Sequence, residues 1–171
     1  MLKQICKKWS LSLSMIFVLL MTMAATPAVA ELPDILKSGK IRIAVPENFP
    51  PFGSLGEEGE YVGYDVEIAQ MIADDLGVEL ELVPVTSKQR IPFLETDRVD
   101  LVVSVMGANP ERAKSIWFSN AYAPFYSGAF AKPDVELDSV KGFSGKKVGV
   151  TGGTLEDLAV SANAPADAEI I

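Results

Sequence analysis

Histidine is absent from the 171-residue sequence, and cysteine occurs once, as Cys6. Histidine is the most common general base of enzymes and cysteine supplies the usual thiol nucleophile, so the sequence disfavours enzymes that depend on either. Cys6 precedes an apolar run near the N-terminus, in a segment that we expect to be removed. The remaining chain would contain no thiol, which excludes a disulfide within it.

The first 30 residues have the three parts of a secretory signal peptide. Three lysines lie within the first eight residues, an almost uninterrupted apolar run spans residues 11–25, and Ala28-Val29-Ala30 supplies the small residues that signal peptidase reads. A membrane anchor is the alternative, but the run is shorter than the ~20 apolar residues that a span needs. We predict cleavage after Ala30 and a periplasmic protein without a lipid anchor, because Cys6 lies far from the cleavage site.

The chain has a strong excess of acidic side chains. Three of its 15 basic residues and none of its 23 acidic residues lie in residues 1–30, which leaves 12 basic against 23 acidic residues and a net charge of −11 after cleavage. Such a surface repels nucleic acid and anionic membranes, so neither is an expected partner. The acidic residues are scattered among apolar segments, which predicts a folded domain and not a disordered tail.

The acidic residues do not form a metal-binding pattern. The Asp74-Asp75 pair lies on a predicted helix, where adjacent side chains diverge, and three glutamates between residues 57 and 60 lack ligand spacing. Gly152-Gly153-Thr154 resembles a phosphate-binding loop only weakly, because the lysine and the full glycine spacing are missing. We predict a solvated surface with neither metal nor cofactor.

Helix-like and strand-like segments alternate, which predicts an α/β fold with a largely parallel sheet. The predicted helices cover residues 33–37, 65–76, 91–95 and 155–161; the predicted strands cover 41–45, 78–84, 100–106, 125–131, 146–150 and 168–171, with a hairpin-like excursion at 53–63. The character changes near Tyr122-Ala123-Pro124, so we expect one unit at 31–124 and a second at 125–171. Because the second unit ends on an apolar strand, we expect it to be incomplete.

The helix between Gly63 and Gly77 has clear start and stop signals. Asp65 is the expected N-cap, and Gly77 is expected to end the helix in the left-handed conformation. Val66, Ala69, Ala73 and Leu76 form one apolar stripe, with Ile72 beside it. Periodicity alone fits a surface helix of any α/β domain.

Three blocks of sequence resemble one family. The string from Gly63 to Ala69 reads G-aromatic-D-aliphatic-E-aliphatic-A, residues 109–122 contain N-P-E-R-A-K followed by F-S-N-A-Y, and Gly153-Thr154 opens a later helix. Together they resemble the bacterial extracellular solute-binding proteins of family 3, the polar amino-acid receptors of ABC importers. The resemblance implies a type II periplasmic-binding-protein fold, a two-lobed hinged clamp, with lobe 1 at 31–124 and an incomplete lobe 2 from 125.

The resemblance also implies a ligand site. Arg112 would bind the α-carboxylate of an amino acid, and a planar guanidinium suits that role. Phe49 would contact the ligand with its ring, Val105 and Gly107 would line the site with their backbone, and Gly153 and Thr154 would meet the carboxylate from lobe 2. The structural alternatives are a surface ion pair for Arg112, a core position for Phe49 and a plain N-cap for Thr154.

Arg90 bears on the identity of the ligand. Residues 85–94 resemble the V-T-x-x-x-R-I-P-x-L stretch of acidic amino-acid receptors, in which this arginine meets a side-chain carboxylate. The resemblance thus implies glutamate or aspartate as a ligand. The alternative is an arginine at a helix entry that faces solvent.

The function implied is a monomeric periplasmic receptor that delivers an amino acid to an ABC permease and its ATPase, and not an enzyme. Two alternatives stay open on the same fold. One is a periplasmic dehydratase acting on prephenate-like acids, in which Arg112 would again bind a carboxylate; the other is an extracellular sensor domain.

Mass spectrometry of the exported protein should find Glu31 as its first residue. Ala28→Arg should leave the precursor uncleaved, because signal peptidase needs a small residue there. Val29→Arg is the matched control and should be processed, since the middle position tolerates variety. Normal processing of Ala28→Arg would contradict the assigned site.

Overall fold

The computed structural model describes residues 32–171, so the predicted signal peptide and its cleavage site lie outside the described residues. The helices are α1 (Leu32–Ser38), α2 (Tyr64–Leu76), α3 (Arg90–Glu95) and α4 (Leu155–Asn163), with 3₁₀ turns at Arg112–Lys114 and Val140–Phe143. The strands are β1 (Lys40–Pro46), β2 (Asn48–Phe49), β3 (Gly53–Leu55), β4 (Tyr61–Val62), β5 (Glu79–Val85), β6 (Leu101–Val102), β7 (Lys147–Val148) and β8 (Glu169–Ile170). Among these residues, no helix has the length and apolarity to cross a bilayer.

A parallel sheet in the order β5-β1-β6 forms the centre of the first unit. Its middle strand β1 is buried on both faces, with Ile43, Ala44 and Val45 fully inaccessible, as expected for a parallel strand covered on both sides. Ile43 and Val45 pack with helix α2, whereas Ala44 packs with Phe93 of helix α3. The sheet therefore lies between two helical layers.

Helix α2 ends as the sequence predicts, but Asp65 is not its N-cap. Gly77 has φ 67° and donates its N–H to helix carbonyls, which confirms the glycine stop. At the other end Gly63 is the cap residue, and the N–H groups of Tyr64 and Asp65 donate to the carbonyls of Pro51 and Phe52. Because backbone carbonyls supply the acceptors, the Asp65 side chain is directed elsewhere and is wholly buried.

The strands predicted at 146–150 and 168–171 are shorter in the structure, at Lys147–Val148 and Glu169–Ile170, and two other predicted strands differ more. The strand predicted at 100–106 is limited to Leu101–Val102, because the chain turns at Val105, which has φ 43°. The strand predicted at 125–131 is absent from the described structure. Those residues have no neighbouring strand to pair with in the described chain, and Phe130 is 97% exposed.

Burial is very uneven between the two units. The buried hydrophobic residues of the described chain all lie between Ile41 and Val103. In the second unit, β7 pairs in parallel with β8, and the connecting helix α4 has no buried residue. The hydrophobic core of residues 32–171 therefore belongs to the first unit.

Gly63→Ala should lower the free energy of unfolding much more than Gly59→Ala. Both glycines have positive φ, 133° and 89°, but an added Cβ at Gly63 would lie 2.5 Å from the Phe52 carbonyl oxygen, whereas Gly59 faces open space. Left-handed strain alone costs about 1–2 kcal/mol, and we expect the crowding at Gly63 to add about 1–3 kcal/mol. Urea unfolding measures both variants, and equal losses would contradict the backbone contact.

Candidate functional site

A cleft of about 1030 Å³ lies at the carboxyl ends of the central strands, between the two units. In α/β folds this edge of a parallel sheet is where ligands bind. Phe49, Arg90 and Arg112 line the cleft from the first unit, and Thr154 and Glu156 line it from the second. The structure thus brings together the predicted site residues from distant parts of the sequence.

Arg112 is a buried cation in the wall of this cleft, with 8% of its surface exposed. Its Nη1 donates to the Gly107 carbonyl at 2.6 Å and its Nη2 to the Gly153 carbonyl at 2.9 Å. A guanidinium has five N–H donors, so three find no acceptor within residues 32–171. Arg112 makes no ion pair there either, so the surface-ion-pair alternative does not describe it.

Arg90 is more deeply buried, with 3% of its surface exposed, and does not face solvent. Its guanidinium donates to four backbone carbonyls: Ser87 at 3.0 Å, Ser104 at 2.6 Å, Val105 at 3.0 Å and Gly153 at 3.2 Å. Burial, followed by the like charge of Arg112, lowers the pKa of Arg90 to about 10. Four of its five N–H groups are bonded to the chain, so Arg90 holds together the loops that carry these carbonyls.

Val105 and Gly107 form the loop between the two arginines. The Val105 N–H donates to Asp65 Oδ2 at 2.9 Å, and its carbonyl accepts from Arg90, so both of its backbone groups are engaged. Gly107 faces Leu155, and a Cβ at this glycine would overlap Leu155 Cδ1 and lie 3.0 Å from its Cγ. Leu155 therefore fills the space that a side chain at position 107 would need.

Thr154 lines the cleft from the second unit, and Gly153 lies beside it against the two arginines. The Gly153 carbonyl accepts from both Arg90 and Arg112, while its N–H donates to Asp157 Oδ2 at 2.7 Å. Thr154 caps helix α4, because its Oγ1 accepts from the Asp157 N–H at 3.2 Å and donates to the Thr151 carbonyl at 2.8 Å. The N-cap role expected for Thr154 is thus present.

Phe49 presents an aromatic surface to the cleft and is 40% exposed, so it does not occupy a core position. Its ring is tilted against Phe52, with 5.9 Å between centroids. Phe52 meets Tyr64 edge-on, and Tyr64 stacks on Tyr122. This line of rings connects the cleft to the start of helix α2.

Sequence reasoning missed the role of Asp65, which is fully inaccessible. Its Oδ1 accepts from the Tyr122 hydroxyl at 3.1 Å and its Oδ2 from Val105, and burial raises the pKa of this carboxyl. One signal was present: Asp65, Ala69 and Ala73 recur at four-residue spacing, which places the carboxylate on the buried stripe of the helix.

Glu156 was also missed. It lies in the first turn of helix α4 and accepts a hydrogen bond from the Ser127 hydroxyl. Burial alone would raise its pKa, but that bond and the nearby charge of Arg112 lower it. The cleft is lined by two carboxylates, Glu47 and Glu156, and the charge of Glu156 acts on both arginines. No group of three potential ligands for a metal ion occurs in the described part of the chain.

Residues 41–141 match the family described as bacterial extracellular solute-binding proteins, family 3. The chain belongs to this family. Family 3 is the one that the sequence blocks resemble, and the fold is that of the type II periplasmic binding proteins, as predicted.

Named relatives include both receptors and an enzyme. The L-cystine-binding protein TcyJ of Escherichia coli is 32% identical over 125 residues, which is 72% of this chain and 47% of TcyJ. The cyclohexadienyl dehydratase of Pseudomonas aeruginosa is 37% identical over 93 residues, 54% of this chain and 35% of the enzyme. The chain spans about half the length of the curated relatives it matches, and most of those named are amino-acid-binding proteins.

Solved structures of the T. maritima arginine-binding protein are similar as well. The holo protein has a TM-score of 0.71 at 32% identity, covering 81% of this chain and 62% of that one. The arginine-bound form of its isolated domain 1 has a TM-score of 0.51 at 39% identity, covering 52% of this chain and 71% of that domain.

Gly107→Ala should destabilise the protein by about 1–3 kcal/mol through overpacking against Leu155. In the Leu155→Ala background the same substitution should cost at least about 1 kcal/mol less, since the obstructing methyl group is gone. Gly149→Ala is the control, because a Cβ there meets nothing within 4 Å. Thermal unfolding of the four combinations measures the coupling, and additive effects would refute the contact between the units.

Proposed function

We propose that this protein is a periplasmic amino-acid receptor that presents its ligand to an ABC permease and its ATPase. It acts as a monomer, with residues 31–124 as lobe 1 and 125–171 as the start of lobe 2. The observation that carries the proposal is Arg112, a buried guanidinium in the cleft wall with three N–H groups not bonded by the described chain. A carboxylate is the ligand group that matches such a donor set.

A ligand carboxylate can bind the three N–H groups of Arg112 that the described chain leaves free, and it can also replace the Gly153 carbonyl. The Gly153 carbonyl holds one Nη2 N–H, and a ligand carboxylate offers two charged acceptors in place of one neutral acceptor. Lobe 2 keeps contact through the first turn of α4, where Glu156 provides a negative charge for the ligand's ammonium group. Opposite charges on Arg112 and Glu156 thus suit a zwitterion.

Glutamate and aspartate are the ligands that the sequence resemblance implies, and their binding would depend on Arg90. A second carboxylate at Arg90 would have to displace one of its four backbone carbonyls. Phe49 is the open surface for the ligand's side chain, which favours an aliphatic or aromatic amino acid over an acidic one. A measured preference for glutamate over leucine would contradict the assignment of an aliphatic or aromatic ligand and support an acidic one.

A dehydratase acting on a prephenate-like acid is the second candidate. It is supported by the 37% identity to the Pseudomonas aeruginosa enzyme, and Arg112 would bind a substrate carboxylate there too. Incubating the purified protein with prephenate and following loss of substrate separates the two functions. Turnover would favour the enzyme, and amino-acid binding without turnover would favour the receptor.

Arg112→Ala should strongly weaken the binding of amino acids, as measured by calorimetric titrations with a panel of the standard amino acids. Loss of a charged hydrogen bond to a ligand costs about 1.5–3 kcal/mol, which is a loss of affinity of roughly tenfold or more. Arg98→Ala is the matched control, because Arg98 is exposed and stacks on Phe93 outside the cleft. Unchanged affinity in Arg112→Ala would refute the role of Arg112.

A further inference from the structure

We propose that Asp65 and Arg90 are positioning residues that hold Val105 in its left-handed conformation and thereby shape the carboxylate subsite at Arg112. We call these three residues the Val105 clasp. Its effect on binding rests on the proposed function, whereas its effect on the loop does not. Neither charged residue needs to touch the ligand for this role.

The conformation of Val105 requires an external cause. Its φ is 43°, in the left-handed region that β-branched side chains rarely adopt. Such a conformation persists only where the surrounding structure imposes it, and it is concentrated at ligand-binding sites. The contacts of the Val105 peptide must therefore supply the energy that keeps it in this conformation.

Two buried opposite charges hold that peptide from its two sides. Asp65 Oδ2 accepts from the Val105 N–H at 2.9 Å, while Arg90 Nη1 donates to the carbonyls of Ser104 at 2.6 Å and Val105 at 3.0 Å. Charge-assisted hydrogen bonds of this kind are about twice as strong as neutral ones. Within residues 32–171 the two side chains form no direct ion pair, so the Val105 backbone lies between their charges.

The clasp is joined to the candidate subsite by two residues of chain. Gly107 follows Val105 closely, and its carbonyl accepts from Arg112 Nη1 at 2.6 Å. A change of φ at Val105 would move this carbonyl and with it the plane of the Arg112 guanidinium. Tyr122 steadies the far side of the clasp through its 3.1 Å bond to Asp65 Oδ1.

The clasp can be tested with Asp65→Asn, Val105→Gly and the double variant. Asparagine removes the negative charge and leaves a neutral acceptor, so the bond from the Val105 N–H loses its charge assistance, and we expect amino-acid binding to weaken about tenfold. Glycine reaches the left-handed region without strain, so the double variant should bind within about threefold of Val105→Gly alone. Asp75→Asn, on the exposed face of the same helix, should bind like the unmodified protein.

The rescue separates positioning from a general structural role. If the double variant binds as weakly as Asp65→Asn, Asp65 does not act through Val105, and the proposal is overturned. Should Asp65→Asn fail to fold, folding restored by Val105→Gly would support the clasp, and folding not restored would overturn it.

Amide hydrogen exchange at Val105, measured by NMR without ligand, tests the clasp apart from the proposed function. Exchange should be faster in Asp65→Asn than in Asp75→Asn, because the acceptor of the Val105 N–H is weakened. Equal exchange would refute the clasp whatever the binding results. Faster exchange in a protein that binds no amino acid would leave the clasp standing and refute the receptor function.

Discussion

Two buried arginines with backbone carbonyls as their partners are the constraint on which the rest of the site depends. A buried guanidinium without acceptors is costly, and two like charges side by side raise the cost further. The chain meets this by directing the carbonyls of loops 87, 104–107 and 153 at Arg90 and Arg112. The loops around the cleft are therefore ordered by the cations that they surround.

This arrangement explains how the two units differ in packing. The first unit has a sheet buried between helices, so its stability comes from hydrophobic burial, with Ile43 and Val45 at the centre. Helix α4 buries no residue completely and is fixed to the first unit by polar bonds at Gly153 and by the Leu155–Gly107 contact. Hinge closure moves one packed unit relative to another, and the sparse packing between these two units is compatible with such a movement.

The sequence allowed β1, α2 and the glycine stop at Gly77 to be predicted, because each depends on local periodicity or on one residue's conformational preference. The predictions from sequence were wrong where a hydrogen-bond acceptor or a neighbouring strand had to come from a distant part of the chain. Aspartate is a typical N-cap residue, but here the carbonyls of residues 51 and 52 accept from the first N–H groups of the helix, so Asp65 does not cap it. Residues 125–131 are apolar enough for a strand, yet a strand needs a neighbour, and no local pattern supplies one.

The same limit applies to the site. Arg112 and Gly153 were recognisable from short strings, and the structure places them in contact. The engagement of Arg90 with four carbonyls was not recognisable, because those carbonyls belong to backbone whose path is fixed only by the fold. Side-chain identity marks a candidate residue, whereas its partners decide its role.

Under the proposed receptor function, the Gly153 carbonyl competes with a ligand carboxylate for Arg112 Nη2. For a carboxylate that needs the N–H held by this carbonyl, only the fraction of molecules in which the carbonyl has left can bind, and the apparent dissociation constant exceeds the intrinsic one by the reciprocal of that fraction. If one molecule in about ten is open, affinity is about tenfold below the limit set by the ligand's own contacts. Affinity can therefore be adjusted at a peptide bond of the second unit, with every ligand-binding side chain left unchanged.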